Sequence, residues 1–527
     1  MTDTTAPRPA IASVDGQFDR RAAALAAIAG VVATAAALGL SEFVAGILTA
    51  PSLLAAVGGF VIDHQPPGAK DLVVRLFGDN DKVALEALIL VVSLGIGAVL
   101  GIVARRSFVI GAAGFVAFAV FGFVAALGDP SAAPTSAAIV AAVAAFAGVQ
   151  SLSWLLSVAG PQHVEAARGS SMPNWSRRGF LIKSGSLTAA SVLAGFVGRR
   201  LLEGSSAAPT TEGTTLPPPS ETASLPTGAA LDVPDITPIV VSNGSFYRID
   251  TAIIPPSVDV ASWSLRIHGL VDRETNLTYA ELAALPLFEQ YVTIACVSNE
   301  VGGNLVGNAK WTGVRLRDVL AMAGVQSSAS QLVGRSVDGF TAGMPTAWVM
   351  DPSREPMIAL EMNDEVLPKA HGFPARLIVP GLYGYVSATK WLSDLELTTL
   401  EAFDGYWVPL GWSKEAPILT QSRIDVPRFG QSVPAARVAV AGVAWAPDRG
   451  ISKVEVAIDG EWHDCTLSTP ISNTTWVQWL YAWDASSADH TIEVRATDGT
   501  GAVQTADQSP PAPDGARGHQ TITVKVA

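Results

Sequence analysis

Tyr291-Val292-Thr293-Ile294-Ala295-Cys296-Val297-Ser298-Asn299-Glu300-Val301-Gly302-Gly303 is the stretch on which the reading of this chain turns. Its β-branched and aromatic run reads as a strand that delivers a thiol directly into a polar, glycine-containing turn. A soft thiolate at a strand end can bind a transition metal, act as a nucleophile, or pack as a small hydrophobe. The only other cysteine, Cys465, lies in a separate globular stretch. A disulfide framework therefore does not hold this protein together. Neither a second Cys nor a nearby His completes a zinc-type set, so a metal at Cys296 must bring its other ligands with it.

Outward from Cys296, residues 237–414 mix short β-branched runs such as Leu377-Ile378-Val379 with helical stretches such as Leu316 to Ala323, which predicts an α+β domain. Over residues 415–527 the signals change to evenly spaced short strands at Val438–Val440, Val454–Val456, Thr491–Val494 and Thr521–Val524. Gly and Asp turns separate them, and a small immunoglobulin-like β-sandwich is expected. Upstream, residues 201–236 are Thr, Pro, Ser, Ala and Gly without apolar periodicity, and read as a disordered linker.

The chain is 49% hydrophobic and 15% charged, too apolar for a purely soluble protein. The excess lies in residues 21–200, which read as a membrane domain of about five helices behind a cytoplasmic tail, 1–20. Ala22–Leu48 follows Arg20 and Arg21 outward, Pro51–Ile62 is too short to span, Val83–Ala104 returns to Arg105 and Arg106, and Ser107–Leu127 and Thr135–Ala159 complete the next pair. Arginines on one side obey the positive-inside rule. Ser176-Arg177-Arg178-Gly179-Phe180-Leu181, followed by the apolar Leu187–Gly198, resembles an internal twin-arginine export signal. Together these imply a multi-pass cell-membrane protein whose globular part lies on the extracytoplasmic side. The net charge of −13, with no long Lys/Arg run, argues against a nucleic-acid partner.

Three motifs in fixed order carry a more specific reading. The Cys296 stretch, Gly307-Asn308-Ala309-Lys310-Trp311-Thr312-Gly313, and His371-Gly372-Phe373-Pro374-Ala375-Arg376 are followed by Val379-Pro380-Gly381 and Lys390-Trp391. This order resembles the sulfite oxidase family over residues 237–527. The resemblance implies one molybdenum held by the dithiolene of one molybdopterin, with Cys296 as the protein thiolate. The matching cofactor contacts are Phe246, Tyr247, Arg248, Ile249, Asp250, Asp338, His371, Arg376, Ser387, Thr389 and Lys390. Arg248 and Arg449 match basic positions of the family's substrate pocket, and are expected with Cys296 at the catalytic centre. The trailing sandwich is similar to the family's dimerisation domain, which implies a homodimer.

Two features depart from the family pattern. Glu300 and Val301 stand where sulfite oxidases place basic residues after the cysteine, and Leu360 stands where they carry a tyrosine near the metal. The resemblance implies two-electron oxygen-atom transfer to or from a small sulfur compound such as sulfite, and the same site run in reverse would reduce a sulfoxide such as methionine sulfoxide. None of the seven histidines falls in an expected spanning helix, so paired haem ligands are absent there and a separate cytochrome or quinone-linked carrier is implied. The rival readings are a metal-free, membrane-tethered binding protein and a transporter or sensor; few ionisable residues lie at membrane depth, and the exceptions, Glu42 and Glu86, both lie near helix ends or interfaces.

Overall fold

The computed structural model describes residues 14–66, 73, 76, 77, 81–129, 132–159, 175–204 and 215–527. The chain divides into two compact units, residues 1–64 with 80–207, and residues 65–79 with 208–527.

The first unit is helical: α1 Val14–Leu48, α2 Leu53–Asp63, α3 Asp81–Arg106, α4 Phe108–Ala126, α5 Pro134–Ala159 and α6 Trp175–Gly204. Five of these, all but α2, are long and apolar enough to cross a membrane. Of the expected tail, residues 1–13 lie outside the described residues, and the remainder already belongs to α1. Most of the polar stretch after α2 also lies outside them. Helix α1 packs against α3, α5 and α6. Small residues make these approaches close: a Cβ on Gly30 would lie 1.9 Å from the carbonyl oxygen of Gly97, and one on Gly198 2.3 Å from that of Glu42. The expected export motif forms the first turns of α6, which runs on unbroken through the Leu187–Gly198 stretch. The Arg177 side chain lies outside the described residues, and Arg178 is exposed.

Among the described residues the second unit is built of four sheets. One has the order β3 (Leu287–Ala295), β4 (Val306–Arg315), β7 (Met357–Met362), β8 (Glu365–Val366), with β9 (Arg376–Ile378) also pairing β7. A second has the order β2 (Thr275–Thr278), β1 (Ser264–Gly269), β10 (Leu392–Thr398), β5 (Gln331–Ser336), β6 (Thr341–Pro345). Both contribute to one core that includes Leu265, Val292, Trp311, Leu332, Ile358 and Leu395. Helical content here is confined to short pieces such as Leu316–Ala323, so the domain is richer in strand than the α+β expectation.

The C-terminal part forms two further sheets. Strands β11 (Gln421–Val426), β13 (Arg437–Trp445), β17 (Val477–Asp484) and β16 (Thr466–Leu467) make one. Strands β12 (Ser432–Val433), β19 (Gln520–Val526), β18 (Asp489–Asp498), β14 (Ile451–Ile458) and β15 (Glu461–Asp464) make the other. Val440, Val454, Trp479, Ile492 and Ile522 share a core. Strand β19 shows why: Ile522, Val524 and Val526 are buried and alternate with exposed residues, the period-2 pattern of a half-buried strand.

The linker expectation needs correction. Residues 205–214 lie outside the described residues, but 215–236 run along the second unit in bonded contact. The Ser220 amide donates to the Leu287 carbonyl at 2.8 Å, the Glu289 amide to Glu221 at 2.9 Å, the Ala223 amide to the Glu289 carboxylate at 2.9 Å, and the Leu231 amide to the Gln478 side chain at 2.7 Å. A composition poor in apolar residues conceals backbone groups that a sheet edge can satisfy.

Candidate functional site

Strand β3 presents Cys296 because both of its edges are closed. On one side it pairs β4 from Leu287 to Ala295. On the other, Ser220–Ala223 covers its start, and the Thr293 amide donates to the Thr474 carbonyl at 3.0 Å near its end. Thr293 Oγ1 accepts from the Trp476 amide at 2.8 Å. The Cys296 amide donates to Leu305 at 2.9 Å, where the loop between β3 and β4 closes. Within that loop Asn299 Oδ1 accepts from the Leu305 amide at 2.8 Å, and Gly302 turns with φ +75°. Arg423 of β11 donates to the Gly303 carbonyl at 2.9 Å, so the sheet of β11 clasps the loop from outside.

Cys296 is buried, belongs to no disulfide, and lines a cleft holding about 810 Å³ of empty space. Of the residues expected around it, Tyr247, Ile249, Asp250, Asp338, Arg376 and Lys390 line the same cleft. Tyr247 and Ile249 pack on Cys296 and Leu305. Burial, then the nearby Cys296, pushes the Tyr247 phenol up, so it stays protonated. Phe246 lies behind, edge-on to Trp311 at 6.0 Å and His371 at 5.7 Å.

The charges are arranged unequally. Asp250 accepts from Lys390 at 2.8 Å and from Arg248 Nε at 3.0 Å. Arg376, 5% exposed, donates to the His371 carbonyl at 3.2 Å and lies over the Trp311 ring at 5.3 Å, but among the described residues it has no carboxylate within 4.0 Å. Burial brings its guanidinium down to about 10. His371 Nε2 faces the Asn243 carbonyl at 2.8 Å; a carbonyl only accepts, so Nε2 carries the proton. Burial, then Arg376, holds this imidazole down at about 4, hence neutral.

Four buried polar atoms of this region have no hydrogen-bond partner among the described residues: Arg248 Nη2, His371 Nδ1, Arg376 Nε and Thr389 Oγ1. Folded proteins rarely leave such atoms unmet, and each demands a reason. Beside a cleft holding a thiol, an uncompensated guanidinium and a bare imidazole nitrogen suit an anionic, hydrogen-bonding cofactor that brings metal to the sulfur.

Other expected residues sit elsewhere. Arg449 does not line the cleft: it donates to Asp498 at 2.8 Å, to the Ile418 carbonyl at 3.0 Å and to Thr420 at 3.2 Å. Although burial works the other way, hydrogen bonds from Thr500 and Arg449 hold the Asp498 carboxyl at about 2, a permanent anchor for that arginine. The Ser387 hydroxyl donates to the Leu382 and Tyr383 carbonyls at 3.0 Å, and Thr389 Oγ1 lies against Gly334 of β5. In that segment Ala388 and Lys390 face the cleft. Leu360 is fully buried in β7, within the core.

What the motifs did not reveal is that Trp391 belongs to an aromatic wall with Phe340, Tyr385, Trp407 and Trp412. The Tyr385 phenol donates to the Ser413 carbonyl, and its ring lies 5.9 Å from that of Trp412. Burial pushes this phenol up as well. The one signal in sequence is the density of aromatics among turn residues in Tyr383–Trp412, which equally describes a core.

Comparison with known proteins bears on this geometry. Residues 252–407 match the family model described as an oxidoreductase molybdopterin binding domain. The chain is 30% identical over 247 residues to mitochondrial sulfite oxidase of Homo sapiens, covering 39% of this chain and 45% of that protein. It is 32% identical over 168 residues to the uncharacterized oxidoreductase YuiH of Bacillus subtilis (strain 168), covering 32% of this chain and 81% of that one. The chain thus spans under half the length of the sulfite oxidase it matches. Among solved structures, the sulfane dehydrogenase SoxCD from Paracoccus pantotrophus aligns with TM-score 0.47 and 22% identity, over 55% of this chain and 82% of that one.

Proposed function

Since this chain belongs to the sulfite oxidase family of molybdopterin-dependent oxidoreductases, and its cofactor is therefore molybdenum with molybdopterin, we propose that it transfers an oxygen atom to or from a small sulfur compound at Cys296. The observation that carries this reading is the uncompensated Arg376 beside the Cys296 cleft. When bound, the cofactor supplies a two-electron redox centre and exchangeable oxygen. Oxidising sulfite takes the oxygen from water and releases two electrons and two protons; reducing a sulfoxide consumes them and returns water.

The chain's own residues have distinct tasks in this proposal. Cys296 gives its thiolate to the metal. Arg376, Arg248 and the bare His371 nitrogen meet the pterin and its phosphate, and Lys390 is held ready by Asp250. Tyr247, kept protonated, lines the cleft beside Cys296, while the Tyr385 phenol gives its proton to the Ser413 carbonyl and adds its ring to the wall. The aromatic wall excludes water, which strengthens these contacts. It also favours the sulfoxide direction as a second reading: residues 297–301 contain no cation to hold sulfite, whereas an uncharged sulfoxide suits Trp407, Trp412 and Tyr385.

The apolar helices would hold the enzyme in the membrane, with outward side chains such as Val91, Val109 and Val116 in lipid. The arginine pattern supports a catalytic unit outside the cytoplasm, delivered by the Arg177-Arg178 signal, and electrons exchanged with a separate cytochrome or quinone-linked carrier. The two C-terminal sheets support an immunoglobulin-like sandwich and a homodimer built on it.

Metal and pterin analysis of the protein from a cofactor-making host, beside Cys296→Ser, tests the reading. Near-stoichiometric molybdenum with a sulfur-ligated spectrum altered in the variant is expected. A metal-free and pterin-free wild type would leave only a tethered binding protein. Turnover of sulfite against methionine sulfoxide then decides direction.

A further inference from the structure

The cleft beside Cys296 is electrically uneven, and the proposed function uses only part of it. Among the described residues its lining holds two cations, Arg376 and Lys390, and both belong to the cofactor end. The remainder is the aromatic wall and one carboxylate, Asp338, which that function leaves without a task. Local bonds make these residues one continuous surface. Asp338 and Phe340 stand at the turn between β5 and β6, where Asp338 Oδ1 accepts from the Phe340 amide at 3.1 Å and Gly339 turns with φ +88°. The Phe340 ring lies 5.7 Å from that of Tyr406, which lies 5.0 Å from that of Trp407. The Tyr406 amide donates to the Thr341 carbonyl at 3.1 Å and pins this segment to β6. The Trp412 amide donates to the Trp407 carbonyl at 3.2 Å, and the Trp412 ring meets that of Tyr385 at 5.9 Å and 52°. Rings that meet at that angle do not cover one another's faces.

The face of an aromatic ring is electron-rich and attracts a cation within about 6 Å of its centre, tryptophan most strongly. Elsewhere in this unit the chain supplies that cation itself: Arg354 lies over Trp348 at 3.7 Å, Arg495 over Trp462 at 4.0 Å and Lys390 over Trp391 at 5.4 Å. Among the described residues no Lys or Arg lies in this way over Trp412 or Tyr385. The wall therefore selects by charge. An anion is repelled by Asp338. A neutral alkyl group takes water from that carboxylate and gives nothing back. An alkylated ammonium meets both demands, with its charge against the rings and Asp338 and its methyl groups against the apolar ring surface.

We propose that the wall of Asp338, Phe340, Trp407, Trp412 and Tyr385 binds a methylated ammonium group, so that the substrate is a small sulfoxide with a quaternary ammonium at one end and its sulfur toward Cys296. This rests on the proposed function in its sulfoxide direction. The sulfoxide takes up two electrons from the separate carrier and two protons, its sulfur–oxygen bond breaks, and a thioether and water leave; the ammonium group is unchanged.

The test uses the full chain with its cofactor, in phospholipid nanodiscs, titrated by calorimetry with choline and with 3,3-dimethylbutan-1-ol, which has the same shape but carbon in place of the charged nitrogen. Choline is expected to bind about tenfold or more tightly than the alcohol. Asp338→Asn, which keeps the side-chain shape, and Trp412→Leu should each weaken choline about tenfold. Equal affinity for the two probes, no choline binding, or unchanged choline binding in variants that elute as wild type overturns the proposal. With a reduced viologen as electron donor, the methyl sulfoxide of a trimethylammonium-ethyl thioether should show a kcat/KM about tenfold or more above its uncharged tert-butyl counterpart, the difference lying in KM. Equal kcat/KM, or turnover of neither, also overturns it. Molybdenum content is read on the same samples. Full metal with no choline binding refutes the cation site alone, whereas choline binding without metal refutes the enzyme reading alone.

Discussion

Arg376 concentrates the chemistry of the site at the scale of one residue. A buried guanidinium with no facing carboxylate costs several kcal/mol in the absence of an anion. Arg376→Met is therefore expected to leave the apoprotein at least as stable by thermal melting, while pterin recovered with the protein falls about tenfold or more. A stabilising ion-pair role would lower the melting temperature instead. His371 makes a second, opposite statement. Its folded pKa, about 4, lies below the ordinary 6.5, so the unfolded chain binds more protons between those values. Stability is complete above about pH 6.5 and is lost as pH falls toward 4, on the order of 3 kcal/mol for this group. Urea unfolding at pH 7.5 and 5 should show a smaller loss in His371→Gln than in wild type. That Cys296, Tyr247, Ile249, Asp250, Arg376 and Lys390 would lie beside one another was legible because motif order groups them, and they line one cleft. The hydroxyls of Ser387 and Thr389 and the guanidinium of Arg449 were not, since local partners such as Leu382 and Asp498 set their direction. Trp407 and Trp412 belong to no motif that would distinguish them from core aromatics.

Strand β3 and its loop make the argument at the scale of an element. The strand itself was readable from its β-branched run; what covers its outer edge was not. Residues 220–223 read as disorder because Thr, Pro and Ser bury little apolar surface, yet their backbone groups pair with Leu287 and Glu289. Arg423 likewise gave no sign that its guanidinium divides between Asp425 at 2.7 Å, Thr237 at 2.7 Å and the Gly303 carbonyl at 2.9 Å. Arg423→Met is expected to cost about 3 kcal/mol, largely because Asp425 is left buried and unpaired. Amide exchange at residues 300–305 should then quicken more than in Trp311 of the neighbouring strand. Equal protection in both would show that Arg423 does not hold the loop.

Across the whole of the second unit, the boundary near residue 414 separates sequence patterns more sharply than it separates contacts. Val443, Trp445 and Trp476 from the C-terminal side belong to the core around Trp311. The Trp476 indole donates to the Ile239 carbonyl at 2.9 Å. Thermal unfolding of this unit is therefore expected as one transition, and Trp476→Ala should lower all of it by about 3–5 kcal/mol. Two calorimetric peaks, only one of them shifted, would sink that expectation. Strand spacing made the C-terminal strands visible in the sequence, as apolar length did the five long helices, but no periodicity announces that two adjacent patterns share a core. The Thr293–Trp476 hydrogen bond spans 183 residues, which sets an order in time. A ribosome adding roughly 5–20 residues per second makes Trp476 about 10–40 s after Thr293. Throughout that interval the thiol strand has Ser220–Ala223 along its start but nothing from Thr474 and Trp476 near its end, so the cleft that receives a cofactor is finished by the part of the chain made long after it.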